Sequence, residues 1–194
     1  MHKVLDFIKK NKQFSFFLLL VILLALITIF APVIAPQDPY ASDLKNALQP
    51  PSSAHWFGTD KLGRDIFSRV IYASRSSLPA TLILVVLIFA IGTLLGTLAG
   101  YFGGWIDAVI MRISDMMISF PGMVLAIAVA GIMGASVKNA VIAVAVVSWP
   151  KYARLARSLV MKIRHEDYIY AAIVTGSKTS YILRKYMLPN IIPT

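Results

Sequence analysis

Three histidines, His2, His55 and His165, are the readiest metal ligands and general bases in the chain, and they fall in three separate segments. A metal site needs several such groups converging, and this spacing offers no convergence, so no metal is expected. The absence of cysteine removes disulfides, thiolate metal sites and cysteine nucleophiles. Asp107 and Asp115 lie eight residues apart near the ends of apolar stretches. An acid inside a membrane is a functional candidate by default, but Arg112 between them offers a plainer ion pair, and that pairing is expected. No segment fits G-x-x-x-x-G-K-[ST], the loop that cradles a nucleotide phosphate. The chain is therefore read as a non-enzyme, and any energy from ATP must come from another polypeptide.

The elements that position these residues belong to a membrane protein. Of 194 residues, 58% are hydrophobic and only 14% charged, with a mean hydropathy of +0.73, about half the charged share of an ordinary soluble domain. Four apolar runs follow one another. Phe14 to Ile34 and Leu78 to Gly100 are uncharged over 21 and 23 residues, long enough to cross a hydrocarbon core of roughly 30 Å. The first is longer than the apolar region of a signal peptide, which favours an uncleaved span. Ile113 to Met133 carries Asp115 and Pro121 and is expected to bend at the proline. Val137 to Tyr152 holds only twelve charge-free residues between Lys138 and Lys151, so its ends are open. The expected fold is an all-α polytopic bundle with four spans.

The net charge of +10 would suggest nucleic acid in a soluble chain. Here the charge reads as topology. With four spans, the N-terminus, the Tyr101–Arg112 connection and the tail after Pro150 share one side and collect thirteen of the nineteen basic residues. The positive-inside rule places that side in the cytoplasm, in a multi-pass membrane protein with a cytoplasmic N-terminus, and nucleic acid is not expected as a partner. Membrane lipid is.

Pro36, Pro39, Pro50 and Pro51 mark an extended surface loop from Ala35 to Ser53. From Asp60 to Ser74, Leu62, Ile66, Phe67, Val70 and Ile71 recur at helical spacing, with Asp60–Arg64 and Asp65–Arg69 as opposite-charge i,i+4 pairs. This reads as an amphipathic helix at the outer surface, either lying on the membrane or, as the periodicity favours, packing against the spans. Gly92, Gly96 and Gly100 repeat every four residues, stripping one helix face so that another helix can approach.

The tail carries the most specific signal. Tyr170-Ala171-Ala172, then Gly176, then Leu188-Pro189 has the spacing of the EAA loop, E-A-A-x3-G-x9-I-x-L-P. Outside it stand GTDKLGRDIFSRVIYASRSSL (Gly58 to Leu78), SFPG (Ser119 to Gly122) and SWPKYARLARS (Ser148 to Ser158). In these segments the chain resembles, over nearly its whole length, the C-type permease subunit of binding-protein-dependent ABC importers of the oligopeptide, dipeptide and nickel type. The resemblance implies that Ala171, Ala172 and Gly176 form a helix–turn–helix seated in a cleft of an ATPase, with Leu188 and Pro189 closing the motif. Tyr170 stands where the family has its acid and Tyr186 where it has isoleucine; Glu166 and Asp167, one turn upstream, are the alternative source of negative charge. Gly58, Thr59, Asp60, Gly63, Arg64, Asp65, Ser68 and Arg69 form the family signature outside the membrane.

The same resemblance implies residence in a prokaryotic cytoplasmic membrane. It implies a second, B-type permease, two ATPase subunits holding ATP and Mg, and an extracytoplasmic substrate-binding protein; no cofactor is expected in this chain. Two organisational regions follow: 1–56, with the cytoplasmic tail, first span and external loop, and 57–194, the permease core. Family members have two spans after the EAA loop, so the last two spans are expected to be missing and the core truncated at its C-terminus. The competing class is a self-contained channel or ion-coupled carrier. That reading requires charged or polar groups deep in the spans, whereas the first two offer only Thr28, Thr81, Thr93 and Thr97.

Overall fold

A computed structural model describes residues 11–191; His2, Lys3, Lys9 and Lys10 of the expected cytoplasmic tail lie outside the described residues. Among the described residues the regular structure is helical, and the one β-bridge joins Thr59 to Asp65. The chain forms two compact units, Met1–Pro79 and Ala80–Thr194.

In the first unit, α1 spans Lys12–Ile34. Its 23 residues reach about 35 Å. Leucine, isoleucine and phenylalanine surround it on all sides and most stay exposed, as suits a helix whose solvent is lipid. The expected surface loop follows, ordered around a single 3₁₀ turn at Leu44–Asn46 that Asp43 caps.

The helix α2 runs Ile66–Phe102, 37 residues in one piece, and crosses the boundary between the units. The expected amphipathic helix from Asp60 is thereby corrected: Asp60–Asp65 form a turn, and the part from Ile66 continues without a break into the second apolar run. Pro79 inside it lacks the amide that would serve the Arg75 carbonyl, a loss that a long apolar helix tolerates.

In the second unit, α3 (Gly104–Ser119) and α4 (Gly122–Met133) meet at a bend of 95°. The break falls at Phe120-Pro121, because the residue before proline is pushed into extended backbone, and Pro121 itself stays non-helical as the N-cap of α4. The expected bend is present, but it is far sharper than a kink within one through-going span. α5 (Val137–Arg164) packs against both α3 and α4. Two short helices, α6 (Asp167–Val174) and α7 (Thr179–Ile182), follow, and α7 continues through a π-helical turn at Leu183–Met187 into α8 (Leu188–Ile191).

By length and composition, α1 and α2 can cross a membrane, and the bent pair α3–α4 makes a third if it counts as one span. α5 does not join them, because its charge-free stretch of twelve residues covers only about 18 Å. Its position is informative nonetheless. Gly92 faces Trp149 and Tyr152, Gly96 faces Ala153 and Ala156, and Gly100 faces Arg157 and Val160. Numbers ascend together, so α5 runs parallel to this part of α2. The α3–α4 pair must then carry the chain back between them.

Candidate functional site

The tail folds into a knob on the end of α5. Ile169 and Ala172, three residues apart on α6, point inward and are buried with Ala156 and Val160 of α5 and with Ile182, Met187 and Ile191 of the following helices. Tyr101, near the end of α2, packs on the same cluster. The knob thus sits at the C-terminal end of α2.

α6 stops in a Schellman motif. The Ser177 amide donates to the Ala172 carbonyl and the Gly176 amide to the Ile173 carbonyl, each at 3.0 Å. Gly176 has φ +79°, and a Cβ there would meet nothing within 4 Å, so glycine is present for its left-handed backbone and not for space. Thr175 closes the turn from outside, its hydroxyl donating to the carbonyls of Ala171 and Ala172. At the other end of the knob, Pro189 supplies no amide, and the π turn immediately before it widens the helix where the ring enters.

The two alanines of the motif have different surroundings. Ala171 is exposed, while Ala172 is 7% exposed and belongs to the chain's own core. Tyr170, Ile173 and Val174, the last 86% exposed, form an apolar outer face around Ala171. Of the expected docking residues, Tyr170, Ala171 and Gly176 therefore stand outward, whereas Ala172 and Leu188 lie against the chain itself. The Tyr170 hydroxyl meets His165 Nδ1 at 3.2 Å. Glu166 is the N-cap residue of α6 and Asp167 lies in its first turn, where the helix dipole favours an acid.

Two ion pairs brace α5 from the side. Arg157 grips Asp107 with two hydrogen bonds of 2.5 Å, and Arg154 pairs with Asp115. The expected pairing of these acids with Arg112 is thereby corrected. Their true partners are 50 and 39 residues away in sequence, beyond the reach of local spacing rules.

The outer signature is a set of mutually satisfied turn contacts. Gly58 and Gly63 both have φ +74°, and a Cβ on either would collide with backbone, at 2.3 Å from the Gln49 oxygen and 1.7 Å from the Asp43 oxygen. The Thr59 hydroxyl accepts from the Gln49 amide at 2.8 Å and donates to the Asn46 carbonyl. Asp60 accepts from the Leu62 and Arg64 amides and pairs with the Arg64 side chain. The Arg64 side-chain hydrogen bond is the main reason its carboxyl is held down at about 2.

Asp65 caps α2, accepting from the Ser68 amide at 2.7 Å, and takes His55 Nδ1 at 3.0 Å. Burial works to raise its pKa, but the Ser68 bonds and His55 outweigh that and leave it lowered. The expected helical pair Asp65–Arg69 does not form: Asp65 is turned to the helix end, and Arg69 reaches Asp60 at 3.6 Å and the Pro39 carbonyl at 3.1 Å. Ser68 accepts the Gln37 amide. Sequence reasoning missed the roles of His55 and Gln37. An aspartate just before an apolar helix with serine at its third position is a start signal that would have found the cap.

Helices long and apolar enough to cross a membrane, small-residue contacts and a glycine-terminated knob define an α-helical integral membrane protein with a protruding helical knob. Residues 92–194 match the family described as binding-protein-dependent transport system inner membrane component, and residues 2–51 match the N-terminal TM domain of oligopeptide transport permease C. The chain belongs to the binding-protein-dependent transport system inner membrane component family. Among curated relatives it is 44% identical over 183 residues to the dipeptide transport system permease protein DppC of Alkalihalophilus pseudofirmus, covering 94% of this chain and 60% of the relative. It is 46% identical to the glutathione transport system permease protein GsiD of Escherichia coli O6:K15:H31, over 90% of this chain and 58% of that one. To the nickel transport system permease protein NikC of Escherichia coli K12 it is 37% identical, over 91% and 64%. The chain spans about three fifths of the length of these relatives.

Proposed function

We propose that this chain is a permease subunit of an ATP-driven importer, forming part of the translocation path for peptides, nickel or a related metal complex, and that the knob Tyr170–Pro189 receives the motion of its ATPase partners. The permease makes and breaks no covalent bonds. ATP and Mg act in two ATPase subunits, a second B-type permease completes the path, and an extracytoplasmic binding protein delivers substrate. Residues 1–56 supply the first span and external loop, and 57–194 the core with spans two to four, α5 being the fourth. The cargo names of the relatives support the substrate range.

The observation that carries this reading is the division of α6 into two faces: Ile169 and Ala172 anchor it to α5, while Tyr170, Ala171, Ile173 and Val174 form an exposed, largely apolar face among the described residues. An exposed apolar face held on a rigid support suits a protein partner. Sidedness supports it too. Two crossings by α1 and α2 return the chain to the side of the N-terminus, and the knob packs at that end of α2, where the basic residues place the cytoplasm.

The test co-expresses the protein with its ATPases. A cysteine at Ser52 should react with an impermeant maleimide from outside intact cells, and one at Ser177 should not. Val174→Arg, on the outer face, should cut ATPase retention about tenfold while leaving the yield of folded permease unchanged. Undiminished ATPase retention, or labelling of Ser177 from outside, overturns the proposal.

A further inference from the structure

We propose that the cleft between the Pro39-Tyr40 turn and the first turns of α2 is a binding site for the phosphodiester headgroup of an anionic phospholipid. The cleft has a volume of about 420 Å³ and is lined by Pro39, Tyr40, Arg69, Tyr72, Arg75 and Ser76. Tyr40 and Tyr72 meet edge to face at 6.0 Å, and the Arg75 guanidinium lies over the Tyr72 ring at 5.6 Å.

The charge in this cleft is unbalanced. Arg69 is engaged by Asp60 and by the Pro39 carbonyl, but among the described residues Arg75 has only the Tyr72 ring as a partner and no carboxylate within ion-pair distance. No acid lines the cleft. A guanidinium stacked on one face keeps its edge donors free, in the planar fork that fits two phosphate oxygens. The tyrosine hydroxyls add donors beside it. Ser76 donates to the Ala73 carbonyl and so adds none.

Depth selects a lipid as the source of the phosphate. Arg75 precedes Leu78, where the uncharged run begins, by three residues, about 4.5 Å along the helix. Tyr40 lies six residues after the end of α1 at Ile34. Tyrosine rings with an arginine at the edge of the apolar zone occupy the headgroup layer. This inference needs only that α1 and α2 are membrane helices, and it is independent of ATPase coupling.

The test uses the purified full chain in nanodiscs of roughly three parts phosphatidylcholine to one part phosphatidylglycerol, with lipid retained after detergent transfer counted by native mass spectrometry. Arg75→Gln should lower retained phosphatidylglycerol about tenfold, and Tyr72→Phe, which keeps the ring contact, by a smaller factor. Phosphatidylcholine retention should not change, and Lys45→Gln, which removes the same charge from the neighbouring loop, should have no effect. Excess soluble glycerol phosphate should fail to displace the lipid. Displacement by glycerol phosphate would make this a site for soluble anions and overturn the lipid assignment. Equal retention in Arg75→Gln and wild type, or an equal loss in Lys45→Gln, would show that no site exists.

Discussion

Alanine at Gly96 adds one methyl group at the closest point between α2 and α5. Its Cβ would stand 2.2 Å from the Ala153 carbonyl oxygen and 2.8 Å from the Ala156 Cβ. Both obstacles are fixed, one being backbone and the other the root of a side chain, so no rotamer change makes room. The helices must separate by about 1 Å, which also opens the contacts at Gly92 and Gly100. Overpacking costs about 1–3 kcal/mol where some relaxation is available, and the upper end applies here, about 3 kcal/mol. Gly131 in α4 is the control, because a Cβ there meets nothing within 4 Å; alanine should be neutral or gain up to about 1 kcal/mol from helix propensity. Unfolding in mixed micelles, followed by helical circular dichroism against the fraction of denaturing detergent, measures both. The severity should rank Gly96 above Gly92, where the obstacle is the Tyr152 Cβ at 2.5 Å, and Gly92 above Gly100, where the nearest atom is at 2.9 Å. If Gly96→Ala falls within about 0.5 kcal/mol of wild type, inside the scatter of neutral surface changes, the close approach of the helices does not exist.

Two further outcomes follow from the ion pairs. Asp60 titrates at about 2 in the folded chain against an ordinary 3.8, so its contribution is intact above pH 4 and is lost as pH falls from about 4 to about 2; Asp65, also lowered, acts in the same direction. Fluorescence of Trp56, whose ring lies 4.8 Å from Phe67, should hold steady down to about pH 4 and change below it, and Asp60→Asn should flatten that acid transition. Asp107→Arg should destabilise the α3–α5 contact by about 2 kcal/mol, and adding Arg157→Asp should recover most of it; a double variant no better than the single one would mean the pair of 2.5 Å bonds contributes little in the membrane.

The parts of this protein that were legible in its sequence rest on short-range periodicity. Continuous apolar runs announced α1 and α2, and the four-residue repeat of Gly92, Gly96 and Gly100 announced a close helix approach without naming α5 as the partner. Proline was the ambiguous signal. Pro121 separates two helices at 95° while Pro79 and Pro150 ride inside long ones. The difference lies in context, since Pro121 is followed by glycine, a poor helix former, whereas Pro79 and Pro150 are followed by Ala80 and Lys151, which are good ones. Long-range pairing was not legible. The partners of Asp107 and Asp115, and His55 at Asp65, come from other segments, and which alanine of Ala171-Ala172 faces inward depends on how α6 lies on α5.

α5 is the element on which these contacts converge. Ala156 belongs to the core beneath the knob and also stands opposite Gly96, so one residue separates the anchored face of α6 from the backbone of α2. One residue further on, Arg157 holds Asp107 of α3. Small residues in contact with backbone leave no soft layer, and packed interiors of this kind shift as bodies and do not absorb a displacement. If ATPase closure moves the knob through Tyr170, Ala171 and Val174, α5 must move with it, and α2 and α3 must either follow or break the glycine contacts and the arginine pairs. On the proposed coupling, the glycine stripe would be as much a requirement for transmitting motion as for stability, although it lies outside the knob.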